Sequence, residues 1–372
     1  MREFGSEHPS IVLPDGYFES LGHLGREITY LRSGREALMA VALDCKKGDK
    51  PVLLMPAYCC WSMSAPFAKV GWKVVYYRLS TDLTVDMSYM DMLLEECHPS
   101  AVLTMNFFGI ASTCQAVNRI KEFDSSITVI EDFSHCTFSI KDIFNERVDY
   151  YVSSIRKSVG VCDGAIILSS EKLWVSVNPY TEVFSDSRVS AQSLKGQYAY
   201  SKSEEEKQIF LSMLRNGEET LNQFDAVHAI SPIATSMLGL INGEAISYAR
   251  RENMKHLVSL LKGKIRMPEN IHLSYDGAPF SLPVIVNDQA LIQKKLAENG
   301  VYAAVLWPLS EEAGRVCENS LYFSEHMLSI PIDQRYNWDD IEDMANIILK
   351  VVNDNEKEAI GPGCRYSADS YY

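Results

Sequence analysis

Short apolar runs alternate with helical spacings along the first half of the chain. The stretch EALMAVALDC (36–45) carries apolar residues all along a helical pattern, KKGDK makes a turn, and PVLLMPAY (51–58) reads as a strand. CWSMSAPFAKVG predicts the next helix and WKVVYYRL (72–79) the next strand. The order recurs with a helix at 88–97 before a strand at 100–109, and a helix at 114–123 before a strand at 126–133. Two further runs in YYVSSIRKSVGVCDGAIILSS (150–170) face each other across a short loop and read as paired strands. This rhythm predicts an α/β fold, a large and mostly parallel sheet with helices on both faces. Ligands of such sheets gather at the carboxyl ends of strands. Tyr58, Asn106, Asp132 and Lys157 all fall there.

Beyond residue 200 the pattern changes. Long amphipathic helices are predicted over 201–224 and 246–263. PFSLPVIV (279–286), DQALIQKKLAENG (288–300) and VYAAVLWP (301–308) then read as strand, helix, strand, and HMLSIPI with the helix 338–354 closes the pattern. The expected organisation is a large domain over 1–235 with an N-terminal arm, a small α/β domain over 236–354, and a loose tail over 355–372.

Composition narrows the partners. The chain has 372 residues, 47% of them hydrophobic, enough for a substantial core. A net charge of −14, with no block of basic residues, argues against nucleic acid and anionic membrane surfaces as partners. Nine scattered cysteines contain no C-x-x-C pair, which suits neither a zinc site nor a disulfide framework. With no apolar signal core at the N-terminus and no run approaching 18 apolar residues, a reduced, cytoplasmic protein is expected.

Three segments carry candidate chemistry. Ser33, Gly34 and Arg35 precede a helix, where the serine caps, the glycine permits close approach, and free N–H groups suit a phosphate. Read alone, this is also an ordinary capped helix. Asp132 ends an apolar run, as a turn residue or as a carboxylate set in an apolar floor facing a cation; His135 lies three residues on. Lys157, with Arg156 beside it, occupies the loop between the paired strands. Lysine forms Schiff bases with carbonyls when its amine sheds a proton, which a neighbouring cation and burial favour. Ser153 and Ser154 add hydroxyls for a phosphate. Lysine for an aldehyde, aspartate for a pyridine nitrogen, and a helix start with hydroxyls for a phosphate together match pyridoxal 5'-phosphate.

With these residues in place, the chain from about 28 to 352 resembles the DegT/StrS-type sugar aminotransferases, a family of fold-type I enzymes that use that cofactor. LRSGREAL is similar to the family's phosphate-binding helix start, PVLLMPAYCCWS to its V-x-x-P-x-Y strand and loop, and VIEDFSH to its V-I-E-D segment. SSIRKSVGVCDGAIIL resembles the segment bearing the Schiff-base lysine, and ARRENMKHL and LSIPIDQRYNWDDIEDMANII its small-domain signatures. The resemblance implies Lys157 as the internal aldimine and proton shuttle, Asp132 on the pyridine nitrogen, and His135 on the ring hydroxyl. It further implies the Gly34 and Arg35 backbone amides, with Ser153 or Ser154, on the phosphate. Cys60 stands where the family has a stacking aromatic and Trp61 follows it, so that either Trp61 takes over the stacking or the stacking is weaker here. Trp307 and Arg335 are further candidates for the site, or else a packing residue and a surface ion pair. The family's partner-chain loop is similar to LRNG (214–217), which falls in a helical pattern and is set aside.

The implied reaction moves an amino group from an amino acid, with glutamate the expected donor, to a keto-sugar expected to be nucleotide-linked, within a homodimer. Small molecules are the expected partners, and no metal is called for. Family dehydratases replace the lysine with histidine, and Lys157 counts against that chemistry. The alternative of another class is a non-catalytic or regulatory ligand-binding protein on the same fold, which would tolerate Lys157→Ala.

Overall fold

A computed structural model describes residues 16–269, 277–309 and 311–359. The arm before residue 16 and the tail from 360 lie outside the described residues. Seven strands form the main sheet: β1 Glu27–Leu31, β2 Val52–Pro56, β3 Lys73–Tyr77, β4 Ala101–Met105, β5 Thr128–Asp132, β6 Tyr150–Ser153 and β7 Ala165–Ser169. Their order is β1-β7-β6-β5-β4-β2-β3. From β3 through β6 every pairing is parallel, whereas β7 runs antiparallel to both β6 and β1. This is the mostly parallel sheet with covered faces that the apolar runs predict. Its central strands β4 and β5 are buried at every position.

The connecting helices Gly34–Asp44, Trp61–Lys69, Met87–Cys97 and Cys114–Phe123 match the predicted spans closely. β1 was not anticipated from the sequence. It is an edge strand whose residues are mostly half-exposed, so it lacks a strong apolar signal.

Two antiparallel strands, β8 Ser281–Ile285 and β9 Met327–Pro331, form a second sheet. They pack with the helices Gly243–Leu261, Gln289–Glu298 and Trp338–Ala359 around Leu257, Leu261, Leu282, Ile330, Ile341 and Met344. The closing helix runs past residue 354, where looser chain is expected. The strand expected over 301–308 does not form: that segment makes isolated bridges only, at Val301 and from Ala304 to Ser329, and proceeds as irregular chain to Pro308.

A helical hairpin of Glu182–Ser201 and Glu204–Asn222 carries its own small cluster of Ala191, Tyr198 and Phe210. Only its second helix is legible in the sequence. Helices Glu311–Val316 and Glu318–His326 occupy what reads as loop. Among the described residues no helix is long and apolar enough to cross a membrane.

Candidate functional site

The carboxyl ends of β2, β4, β5 and β6 open on one side of the main sheet, where the strand order reverses between β2 and β4. A pocket of about 300 Å³ lies there. Its walls include Ser33, Gly34, Arg35, Asp132, His135, Ser154, Arg156 and Lys157, so most residues singled out from sequence converge on one cavity.

Each is placed by a local cause. Ser33 caps the helix Gly34–Asp44, its hydroxyl accepting from the Glu36 N–H at 3.3 Å. Gly34 sits against Ser154: a Cβ at Gly34 would stand 3.1 Å from the Ser154 Cβ. A side chain there would make Ser154 give way by a few tenths of an ångström, so glycine lets the helix start and the lysine loop meet as they stand. The Ser154 N–H in turn donates to Ser134 Oγ at 3.0 Å, and the Ser134 N–H donates to Asp132 Oδ1 at 2.8 Å. Ser134, which sequence reading passed over, thus ties the carboxylate to the lysine loop. Asp132 is buried, and its recorded hydrogen bond among the described residues is the one from the Ser134 N–H, with no ion pair to a cation.

His135 is buried, and its environment fixes both its charge and its tautomer. The Phe108 N–H donates to His135 Nδ1 at 3.1 Å, leaving the proton of the neutral ring on Nε2. Burial, with a further contribution from the Lys157 cation, holds its pKa well below the ordinary histidine value. The ring lies parallel to Phe280 at 4.5 Å and to Trp307 at 5.4 Å. Phe108 takes a left-handed conformation, φ 57°, unusual for a residue with a side chain, and Gly109 follows at φ 75°. This turn brings the Phe280 N–H onto the Phe108 carbonyl at 2.9 Å and so joins the second sheet to the pocket wall.

Lys157 ends a single 3-10 turn, Ile155–Lys157, and stands exposed at the mouth of the pocket. Arg156 points differently. It binds Glu218 at 2.6 Å, and Arg188 and Arg35 reach the same carboxylate at 3.4 and 3.7 Å. Burial alone would raise the Glu218 pKa, but Arg156, then Arg188 and Arg35, outweigh it and hold the carboxyl below the usual range. Glu218 lies one residue past LRNG, on the helix set aside from sequence, and it lines the pocket. A helical period gives no sign that one of its polar residues meets a cavity built by remote strands.

Three sequence candidates lie off the pocket wall. Ser153 is paired with Thr137, Oγ to Oγ1 2.7 Å, and does not line the cavity. Trp61, the first residue of its helix, is 53% exposed and lies against the Arg35 guanidinium, 5.7 Å from Cζ to ring centroid. Cys60 lines the pocket in its place, and Phe280 and Trp307 supply its large aromatic surface. Arg335 forms a two-pronged pair with Asp333, 2.6 and 2.8 Å, and is not a wall residue.

No family model matches this sequence, and no curated protein matches it. Solved structures do. A DegT DnrJ EryC1 StrS aminotransferase from Brucella abortus superposes with a TM-score of 0.61 at 15% identity, covering 91% of this chain and 89% of the other. Helicobacter pylori PseC, an aminotransferase of pseudoaminic acid biosynthesis, gives 0.64 at 13% identity over 95% and 100% of the two chains. S. venezuelae DesV, solved with a ketimine intermediate, gives 0.63 at 12% identity over 91% and 90%. The fold is that of the sugar aminotransferases. At such identities the likeness establishes architecture, and the chemistry of this chain rests on its own pocket.

Proposed function

We propose that this protein is a pyridoxal phosphate-dependent aminotransferase that passes an amino group from an amino acid, glutamate the leading candidate, to a keto-sugar carried on a nucleotide. The single observation that carries the reading is the buried Asp132 carboxylate at the floor of a pocket whose mouth holds Lys157. A buried carboxylate without a cation is costly. A protonated pyridine nitrogen is the partner that such a position suits.

The pocket also fits the rest of that cofactor. Gly34 and Ser154 make a cradle that a Cβ would fill, at the start of an 11-residue helix whose first N–H groups favour a phosphate. His135, neutral and protonated on Nε2, can donate a hydrogen bond into the cavity. Bound there, the cofactor supplies an electron sink for the substrate's α-carbon. The chain's own residues do the rest. Asp132 would hold a proton on the ring nitrogen, Lys157 would supply the amine that holds the aldehyde and would carry protons at the substrate's α-carbon, and Trp307 and Phe280 would limit water on one side.

Among proteins of this fold, CalS13 from Micromonospora echinospora is a sugar aminotransferase, which supports a sugar acceptor here. A homodimer and a cytoplasmic setting belong to the same proposal. The eight described cysteines, all free thiols, support a reduced compartment.

The test is a visible spectrum of the full-length protein titrated with pyridoxal phosphate, followed by borohydride and mass mapping. A band that borohydride locks onto Lys157, that Lys157→Ala loses, and that glutamate bleaches is the expected result. A band untouched by any amino donor would point to a ligand-binding protein, and no band would overturn the reading.

A further inference from the structure

Glu218 has no place in the chemistry above, yet it sits in the same cavity and holds the attention of three arginines. Arg35 and Arg156 are the two that line the pocket. Their side chains are 15% and 14% exposed, and their donors are not used up. Nε and Nη1 of Arg35, and Nε of Arg156, are buried with no hydrogen-bond partner among the described residues. Arg35 reaches the carboxylate only at 3.7 Å, a charge contact rather than a hydrogen bond. A guanidinium offers five donors, and one carboxylate on one side leaves this pair under-filled. Buried donors left open are costly unless something completes them.

The missing acceptors have a definable shape. They lie beside the Gly34 helix start and the Ser154 loop, where backbone N–H groups already favour an anion. A phosphate monoester brings three terminal oxygens and close to two negative charges, and guanidinium groups bind such oxygens in pairs. A carboxylate held on the same arginines repels that anion. Glu218 is also free to leave: its side chain is 40% exposed, and it rides on the helical hairpin rather than on the sheet.

We propose that Arg35 and Arg156 form a receptor for a phosphate monoester and that Glu218 is its resting occupant, which must swing away when the phosphate enters. Glu218 is then a gate that sets the affinity of the pocket. This deepens the reading given above, in which the cofactor's own phosphate is the natural occupant; a phosphorylated substrate is the other source of the same group.

The experiment compares pyridoxal phosphate with pyridoxal, which lacks the phosphate, on the wild type, Glu218→Gln and Arg156→Met, read by the visible band. Glu218→Gln keeps the side chain's size and should tighten pyridoxal phosphate about tenfold, while Arg156→Met weakens it by a similar factor, the scale of one charge-assisted hydrogen bond. Pyridoxal should be unmoved by either. Unchanged or weaker binding of the phosphate form by Glu218→Gln would make Glu218 a brace for the arginines and overturn the gate. If no variant gives a band, inorganic phosphate is titrated by thermal shift instead. Phosphate that stabilises Glu218→Gln at lower concentration than the wild type upholds the gate and places the phosphate on another ligand. No difference between the two removes the proposal.

Discussion

Arg250 and Arg35 are both guanidinium groups withdrawn from water, and they spend their donors in opposite ways. Arg250 is 2% exposed, yet Nε donates to Gln334 at 2.9 Å, Nη1 to the Pro279 and Phe280 carbonyls at 3.2 and 3.1 Å, and Nη2 to the Ser158 carbonyl at 3.1 Å. Burial pushes its pKa down to about 10, with Asp333 opposing the fall. Every one of these partners is fixed by the fold. Around Arg35 and Arg156 the acceptors run out, and a cavity begins where they do. A satisfied buried cation is a rivet. An unsatisfied one facing a cavity is a receptor.

The largest effect should come from the rivet. Arg250 fastens the residue after Lys157 to the chain entering β8 and to the turn after β9. Arg250→Met strands several buried carbonyls, and a loss on the order of 3–5 kcal/mol is expected in urea unfolding. A loss under about 1 kcal/mol would erase the contrast, because satisfied donors would then matter no more than open ones.

Glu131 shows that an open buried atom is not by itself a receptor. It precedes Asp132 on β5 and, by strand alternation, faces the other side of the sheet. Its Oε2 accepts from Thr113 Oγ1 at 2.9 Å, and its Oε1 has no partner among the described residues. It does not line the pocket. Burial raises its pKa to about 7, with Thr113 opposing and the Asp132 charge adding to the rise. Burial thus favours the protonated, uncharged form. The folded state therefore binds a proton that the unfolded chain has released, and stability falls as pH climbs from the ordinary glutamate value towards 7. Glu131→Gln should flatten that slope and stabilise the protein at pH 8 by at most about 3 kcal/mol. Thermal melts at pH 5 and pH 8 with an unchanged difference between them would refute it.

These contrasts mark how far sequence reading reaches. The central strands are legible because each is an apolar run closed by a polar residue, and Asp132 and Lys157 are legible because strand ends are where such sheets do chemistry. What escapes is whatever depends on distant packing. The 301–308 run has strand composition, but it pairs only through isolated bridges at Val301 and Ala304, and the segment instead delivers Trp307 to the pocket wall. Trp61 reads as a stacking ring by position, and the start of its helix turns it outward onto Arg35. Ser134 and Glu218 are ordinary polar residues until the fold sets one beneath Ser154 and the other among arginines.

The smallest stability effect should belong to Arg156→Met, and its smallness is the point. The Arg156 contact with Glu218 is short, but the carboxylate is 40% exposed and keeps Arg188 and Arg35, so solvent and the remaining cations replace most of what is lost. A change within about 1 kcal/mol is expected in the same urea titration. The acid limb should move more clearly. A carboxyl held below its usual range contributes stability above that range and loses it as pH falls through the depressed value. Without Arg156, the largest cation acting on it, that loss should begin at higher pH. A protein that instead unfolds like Arg250→Met would make Arg156 a second rivet, since a receptor can lose a donor cheaply when its ligand is absent, whereas a rivet cannot.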